Sequence, residues 1–291
     1  MQRQVQNAVD AGDGDVVARS LRERITASPG NIEDRIALAE HYRKQGITEL
    51  AIEHYRLAAE REPGNTRLTL LLAQTLDEQG QTSEAAKLLA GFLDRNPDFD
   101  ADLAGWLGIF HDKLGEWHAG ESAHRAAFSR NPSNAAYRNN LGYNLLMQGR
   151  RVEAIQELRK SLEIHPRMEV ARNNLALALM QEAGPKQKSE ALEHWQSVST
   201  PATAHSNAAA SLIEQGRLAE ARKELETALE HQRDYAPALK NLALLSAMDG
   251  RPAAVPPVKT SGVRRWMKKA WVAFAGIEQK PAGRVALATR E

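Results

Sequence analysis

The chain has 291 residues, no cysteine, 5% aromatic residues and a formal net charge of +1. The lack of cysteine excludes disulfides, thiolate nucleophiles and cysteine-ligated metals, and a charge so close to neutral gives the molecule as a whole little pull on nucleic acid. Ala, Leu, Glu, Gln and Arg dominate over β-branched residues, a supply for helices and not for sheets.

The start, Met1-Gln2-Arg3-Gln4, is polar and leads into no apolar run. No later stretch approaches the roughly eighteen apolar residues of a membrane span. Cytoplasm is therefore the expected location, with periplasm as the alternative if a signal sequence has been removed. From there the chain is punctuated regularly. Prolines fall at Pro29, Pro63, Pro97, Pro132, Pro166 and Pro201, at intervals of 34, 34, 35, 34 and 35 residues. Glycines keep the same beat at Gly12, Gly46, Gly80, Gly115, Gly149, Gly184, Gly216 and Gly250. One helix length separates each glycine from the next proline, and another separates that proline from the next glycine. Each unit therefore reads as helix A, a glycine turn, helix B and a proline stop. Asn31, Asn65 and Asn134 follow their prolines where an N-cap for the next helix A is wanted.

With the turn glycine at position 15, units start at Ile32, Thr66, Ala101, Ala135, Glu169 and Ala202, and a lone helix A starts at Ala236. Position 8 is Ala39, Ala73, Gly108, Gly142, Ala176, Ala209 and Ala243; position 20 is Ala51, Ala85, Gly120, Ala154 and Ala221. Small residues suit the close approach of helix A and helix B, and the large position-7 residues, Leu141 and Leu175 among them, suit packing on the neighbouring unit. This pattern resembles the tetratricopeptide repeat family over residues 1 to about 250. The resemblance implies an all-α, right-handed superhelical solenoid of about seven helix-turn-helix units. The expected organisation is a degenerate N-terminal half unit or cap over 1–31, the solenoid over 32–250, a proline-rich linker over 251–261, and a basic amphipathic helix and tail over 262–291. The fifth unit departs from the pattern at Gly184-Pro185-Lys186-Gln187-Lys188, where a longer turn and a shortened helix B are expected.

A helix advances about 100° per residue, so positions 4, 7, 8 and 11 cluster on one side and 2, 6, 9 and 13 on the other. The resemblance implies that the second set faces a groove for extended or helical peptides. Position 6 is Asn140, Asn174, Asn207 and Asn241 in the last four units. Asparagine is a poor helix former, and its amide offers both donor and acceptor to a peptide backbone. Similar ladders line the tetratricopeptide domain of O-linked N-acetylglucosamine transferase. The other reading is that these amides bond between neighbouring units. Tyr143, Met147, Leu177 and Met180 add adaptable apolar surface beside the ladder. A carboxylate clamp for a chaperone terminus is disfavoured, because no three consecutive units carry its Lys and Asn set. Trp106, with Trp117, Phe99, Phe110 and Phe128 nearby, reads as local packing around Gly105, Gly108 and Gly120.

Chemistry is sparse. The nine histidines lack metal-ligand spacing, and neither Gly184–Ser189 nor Gly120–His124 sits in the strand-to-helix setting of a phosphate loop or a nucleophile elbow. No enzyme activity, cofactor or metal is expected. From Pro252 onward the local charge is +6, leaving −5 on residues 1–251. After Gly262, apolar residues at Val263, Trp266, Met267, Ala270, Trp271, Phe274 and Ile277 have helical spacing, and Arg264, Arg265, Lys268 and Lys269 fall on the other side. Such a helix suits a solenoid cap, an anionic membrane surface or a partner's groove. Tail interactions are assigned to Arg264, Arg265, Trp266, Lys268, Lys269 and Trp271. The runs 139–150 and 171–179 are also similar to bacterial TadD-type proteins of tight-adherence pilus assembly. The expected function is a non-catalytic scaffold that binds a protein or peptide in its C-terminal groove, in assembly of a pilus or secretion machine. A membrane-peripheral adaptor recruited by the tail, and a substrate-recognition module of a glycosyl or protein-modifying system, are the alternatives.

Overall fold

A computed structural model describes residues 15–98, 100–182 and 184–252. The N-terminal fourteen residues, Phe99, Ala183 and everything from Ala253 lie outside the described residues, and so do the tail assignments at Arg264, Arg265, Trp266, Lys268, Lys269 and Trp271. Among the described residues the fold is all-α. The chain divides at Pro132 and Ser133 into two compact units.

The first unit begins with α1 (Val16–Ala27) and continues through three antiparallel pairs: α2 (Ile32–Lys44) with α3 (Thr48–Ala59), α4 (Thr66–Glu78) with α5 (Thr82–Arg95), and α6 (Ala101–Leu114) with α7 (Trp117–Arg130). Asn31 and Asn65 start their helices by accepting from the amides of Glu33 and Leu68, which satisfies donors the helix cannot use itself. Each second helix packs on its partner through a buried small residue, Ala51, Ala85 and Gly120. At Gly108 the approach is tightest: a Cβ there would lie 2.5 Å from the His124 ring. That ring is buried and bonded through Nε2 to the Asp112 carboxylate at 2.9 Å, so α6 and α7 are joined by a polar contact inside an apolar layer. Trp106 rests against the buried Phe110 with ring centroids 5.7 Å apart, which makes it part of the local packing. Lys113 reaches back to Asp77 at 2.5 Å, and Arg43 forks onto Glu78 at 2.8 and 2.6 Å, so charges link consecutive first helices α2, α4 and α6.

The second unit repeats the scheme with α8 (Ala135–Met147) and α9 (Arg151–Ile164), α10 (Glu169–Met180) and α11 (Pro185–Gln196), α12 (Pro201–Glu214) and α13 (Leu218–His231), and then α14 (Ala236–Asp249). Asn134 caps α8 by accepting from the Ala136 amide. One apolar cluster runs from Leu141 to Leu245 along the whole unit. The fifth pair is the irregular one. Gly149 and Gly216 turn their chains with φ of +76° and +73°, a region glycine enters without a Cβ penalty. Gly184 instead has φ −179°, extended backbone that needs no glycine, and Pro185 opens α11 at the position where its fixed φ fits. The resulting helix has 12 residues against 14 in α9 and α13. Buried Glu224 of α13 accepts from Lys188 of α11 at 2.6 Å while it bonds His205 of α12 at 2.7 Å, so it joins the fifth pair to the sixth.

Candidate functional site

Because α8, α10, α12 and α14 touch one another in sequence, their sixth positions fall along the line of contact between successive first helices. That placement sets the environment of the four asparagines. Asn140 is fully buried and Asn241 nearly so, while Asn174 and Asn207 are half-buried. Asn174 donates through Nδ2 to Oδ1 of Asn139 at 2.9 Å, and Asn139 donates in turn to Oδ1 of Asn140 at 3.2 Å. Three amides from two repeats thus form one chain of hydrogen bonds.

That chain stops short of using every polar atom. Nδ2 of Asn140, Oδ1 of Asn207 and Nδ2 of Asn241 are buried and take no partner among the described residues. Each unpaired buried group costs about 1–3 kcal/mol relative to a bonded one. Native interiors tolerate few of these, so three on one repeat position is a feature to be explained. Read along the row they offer donor, acceptor and donor, the two functions an extended peptide backbone presents in alternation.

The surroundings differ from the sequence expectation in three respects. Asn174 is engaged between repeats through Asn139, so the ladder does not consist of four free amides. Asn140 and Asn241 are recessed where first helices meet, so a ligand reaches them only between flanking side chains. Met180 lies in the core, 1% exposed, because position 12 is only about 40° around the helix from the buried Ala176 at position 8. Tyr143 and Leu177 at position 9 are half-buried beside the row, and Met147 at position 13 is exposed. Met248, at the same position in α14, is 52% exposed. These four side chains supply the apolar margin.

Asn139 is the residue that sequence reasoning passed over. The doublets Asn139-Asn140 and Asn173-Asn174 were a visible signal. In the second doublet, Asn173 accepts from Nε1 of the buried Trp195 at 2.8 Å and so ties α10 to α11. Position 5 thus serves the fold, and position 6 keeps one atom in reserve at each of Asn140, Asn207 and Asn241. Among the described residues no group of His, Cys, Asp or Glu is arranged to hold a metal ion, and no helix is long and apolar enough to cross a membrane.

Family models described as tetratricopeptide repeat match residues 43–108 and 107–169. No curated protein matches the chain. Among solved structures, a MamA protein is similar with TM-score 0.50 and 22% identity over 57% of this chain and 89% of that one. A MamA fragment from Desulfovibrio magneticus is similar with TM-score 0.51 and 15% identity, over 57% of this chain and 92% of that one. A chain of the APC/C hetero-tetramer Cut9-Hcn1 is similar with TM-score 0.57 and 15% identity, over 81% of this chain and 46% of that one. At these identities the likeness concerns the fold.

Proposed function

We propose, from the premise that this chain is a tetratricopeptide-repeat protein, that it is a non-catalytic interaction scaffold which clamps an extended polypeptide along α8, α10, α12 and α14. The observation that carries this reading is the set of unused amide atoms on Asn140, Asn207 and Asn241, at one position of three repeats. Backbone-directed hydrogen bonds would grip many sequences. Tyr143, Met147, Leu177 and Met248 would select among them through apolar contact. Assembly of a pilus or secretion machine is the finer setting, supported by the likeness of the runs 139–150 and 171–179 to such proteins.

Peptides selected against the full chain from a displayed library provide the probe. A hydrogen bond is worth about 0.5–1.5 kcal/mol net, so Asn207→Ala alone should weaken a selected peptide by roughly two- to tenfold. Replacing Asn140, Asn207 and Asn241 together by alanine should abolish measurable binding at a stability cost no larger than that of the one bond from Asn139 to Asn140 Oδ1, about 0.5–1.5 kcal/mol, because the unpaired atoms bond nothing among the described residues and alanine is the better helix former. A triple variant that binds at full strength places the site elsewhere. One that melts early and broadly makes the row structural.

A further inference from the structure

In all six complete helix pairs the eighth residue of the first helix is a buried alanine or glycine, covered by its own second helix. In α14 that residue, Ala243, is half-buried. Ser246 and Ala247, on the same side, are half-buried and exposed, whereas their counterparts in α12, Leu212 and Ile213, are buried. α14 therefore shows the face that a second helix covers everywhere else.

Second helices follow a pattern of their own. A small residue is followed four places on by a large one, and seven places on by another buried side chain: Ala85, Leu89 and Phe92 in α5, and Ala154, Leu158 and Ser161 in α9. The same spacing occurs once in the segment after Gly262, at Ala270, Phe274 and Ile277. We propose that this segment, which lies outside the described residues, is the second helix of the seventh repeat and docks on the bare face of α14. Only the turn is unusual: twenty residues separate Gly250 from Ala270, where five separate Gly216 from Ala221.

Three further observations favour this occupant. Arg222 of α13 donates to the carbonyls of Arg251 and Pro252 at 3.3 and 3.4 Å and to the Asp249 carboxylate at 3.0 Å, so the inserted stretch starts beside the helix that a seventh second helix would follow. From there the remaining residues, extended at about 3.1 Å each, reach far beyond the spacing of packed helices, roughly 8–10 Å. In this register Lys268 and Lys269 correspond to Ala219 and Glu220 of α13, which are exposed and half-buried, so the basic side stays toward solvent. The tether also gives the segment an effective concentration of order millimolar at this face.

The chain contains no cysteine, so introduced pairs report one contact each. In the fourth pair the corresponding positions are close: a Cβ on Gly142 would lie 3.3 Å from the Ala154 carbonyl oxygen. Under mild oxidation the full chain carrying Ala243→Cys with Ala270→Cys should form an intramolecular disulfide. The control pair, Ala243→Cys with Lys269→Cys, turned about 100° away, should form it at least tenfold more slowly. Equal rates for the two pairs, or a disulfide between molecules, would overturn the proposal, the latter in favour of a second copy. Independently, Phe274→Asp with Ile277→Asp should lower the melting temperature by roughly 5–10 °C. An unchanged melting temperature, with loss of binding to phosphatidylserine vesicles, would assign the segment to a bilayer and also overturn it.

Discussion

Gly142 shows how little space separates the helices of a pair. A Cβ on it would come within 2.6 Å of Leu158 Cγ and 3.3 Å of the Ala154 carbonyl, so α8 and α9 meet almost backbone to backbone. Ala154 is fully buried at the same crossing. Ala154→Leu should therefore overpack it and lower stability by about 1–3 kcal/mol in chemical denaturation. A conservative change such as Ala154→Ser, close in volume, should cost less. Half-buried histidines add a pH dependence. His54 stacks on Tyr42 at 5.7 Å, and burial holds its pKa below the usual 6.5; burial does the same to His194. Protons then bind the unfolded chain more readily than the folded one, so stability present above about pH 6.5 is lost as pH falls through the folded values. Melting temperatures recorded from pH 7 to pH 5 should decline, and His54→Gln should flatten part of that decline.

Hydrogen bonds that leave one helix for another tie the helices of the second unit together. Asn139 joins α8 to α10 through Asn174, and Asn173 joins α10 to α11 through Trp195. Asn139→Ala breaks one such bond and frees two amides, so it should destabilise by roughly 1–3 kcal/mol in urea unfolding, more than Asn207→Ala, whose Oδ1 has no partner to lose. Equal losses would mean that the two rows play the same part. Helix boundaries were legible because proline and glycine act locally: each pair is marked by a residue that cannot continue a helix. The division of labour between positions 5 and 6 was not legible. Both are asparagine in two repeats, and only the approach of the neighbouring helix determines which amide finds a partner.

A repeat array has no single centre, so its stability is approximately a sum over neighbouring contacts. Leu225 is fully buried in α13 and belongs to the cluster that α12 and α14 share. Leu225→Ala should cost about 2–5 kcal/mol. In hydrogen exchange, protection should fall first in α12, α13 and α14 and least in α8 and α9; a uniform fall would show that the unit melts as one block. The amino-acid order by itself determined that the described residues are helical, where their turns fall, which residues must be small, and that residues 43–169 carry tetratricopeptide repeats. These follow from steric rules that act within one helix or one turn. Only the tertiary structure decided that Met180 is core, that Asn174 is spent on Asn139, and that three amide atoms are left without partners among the described residues. Each of these depends on what a neighbouring helix brings to the same point in space, and a period of 34 or 35 residues carries no information about that rotation and approach.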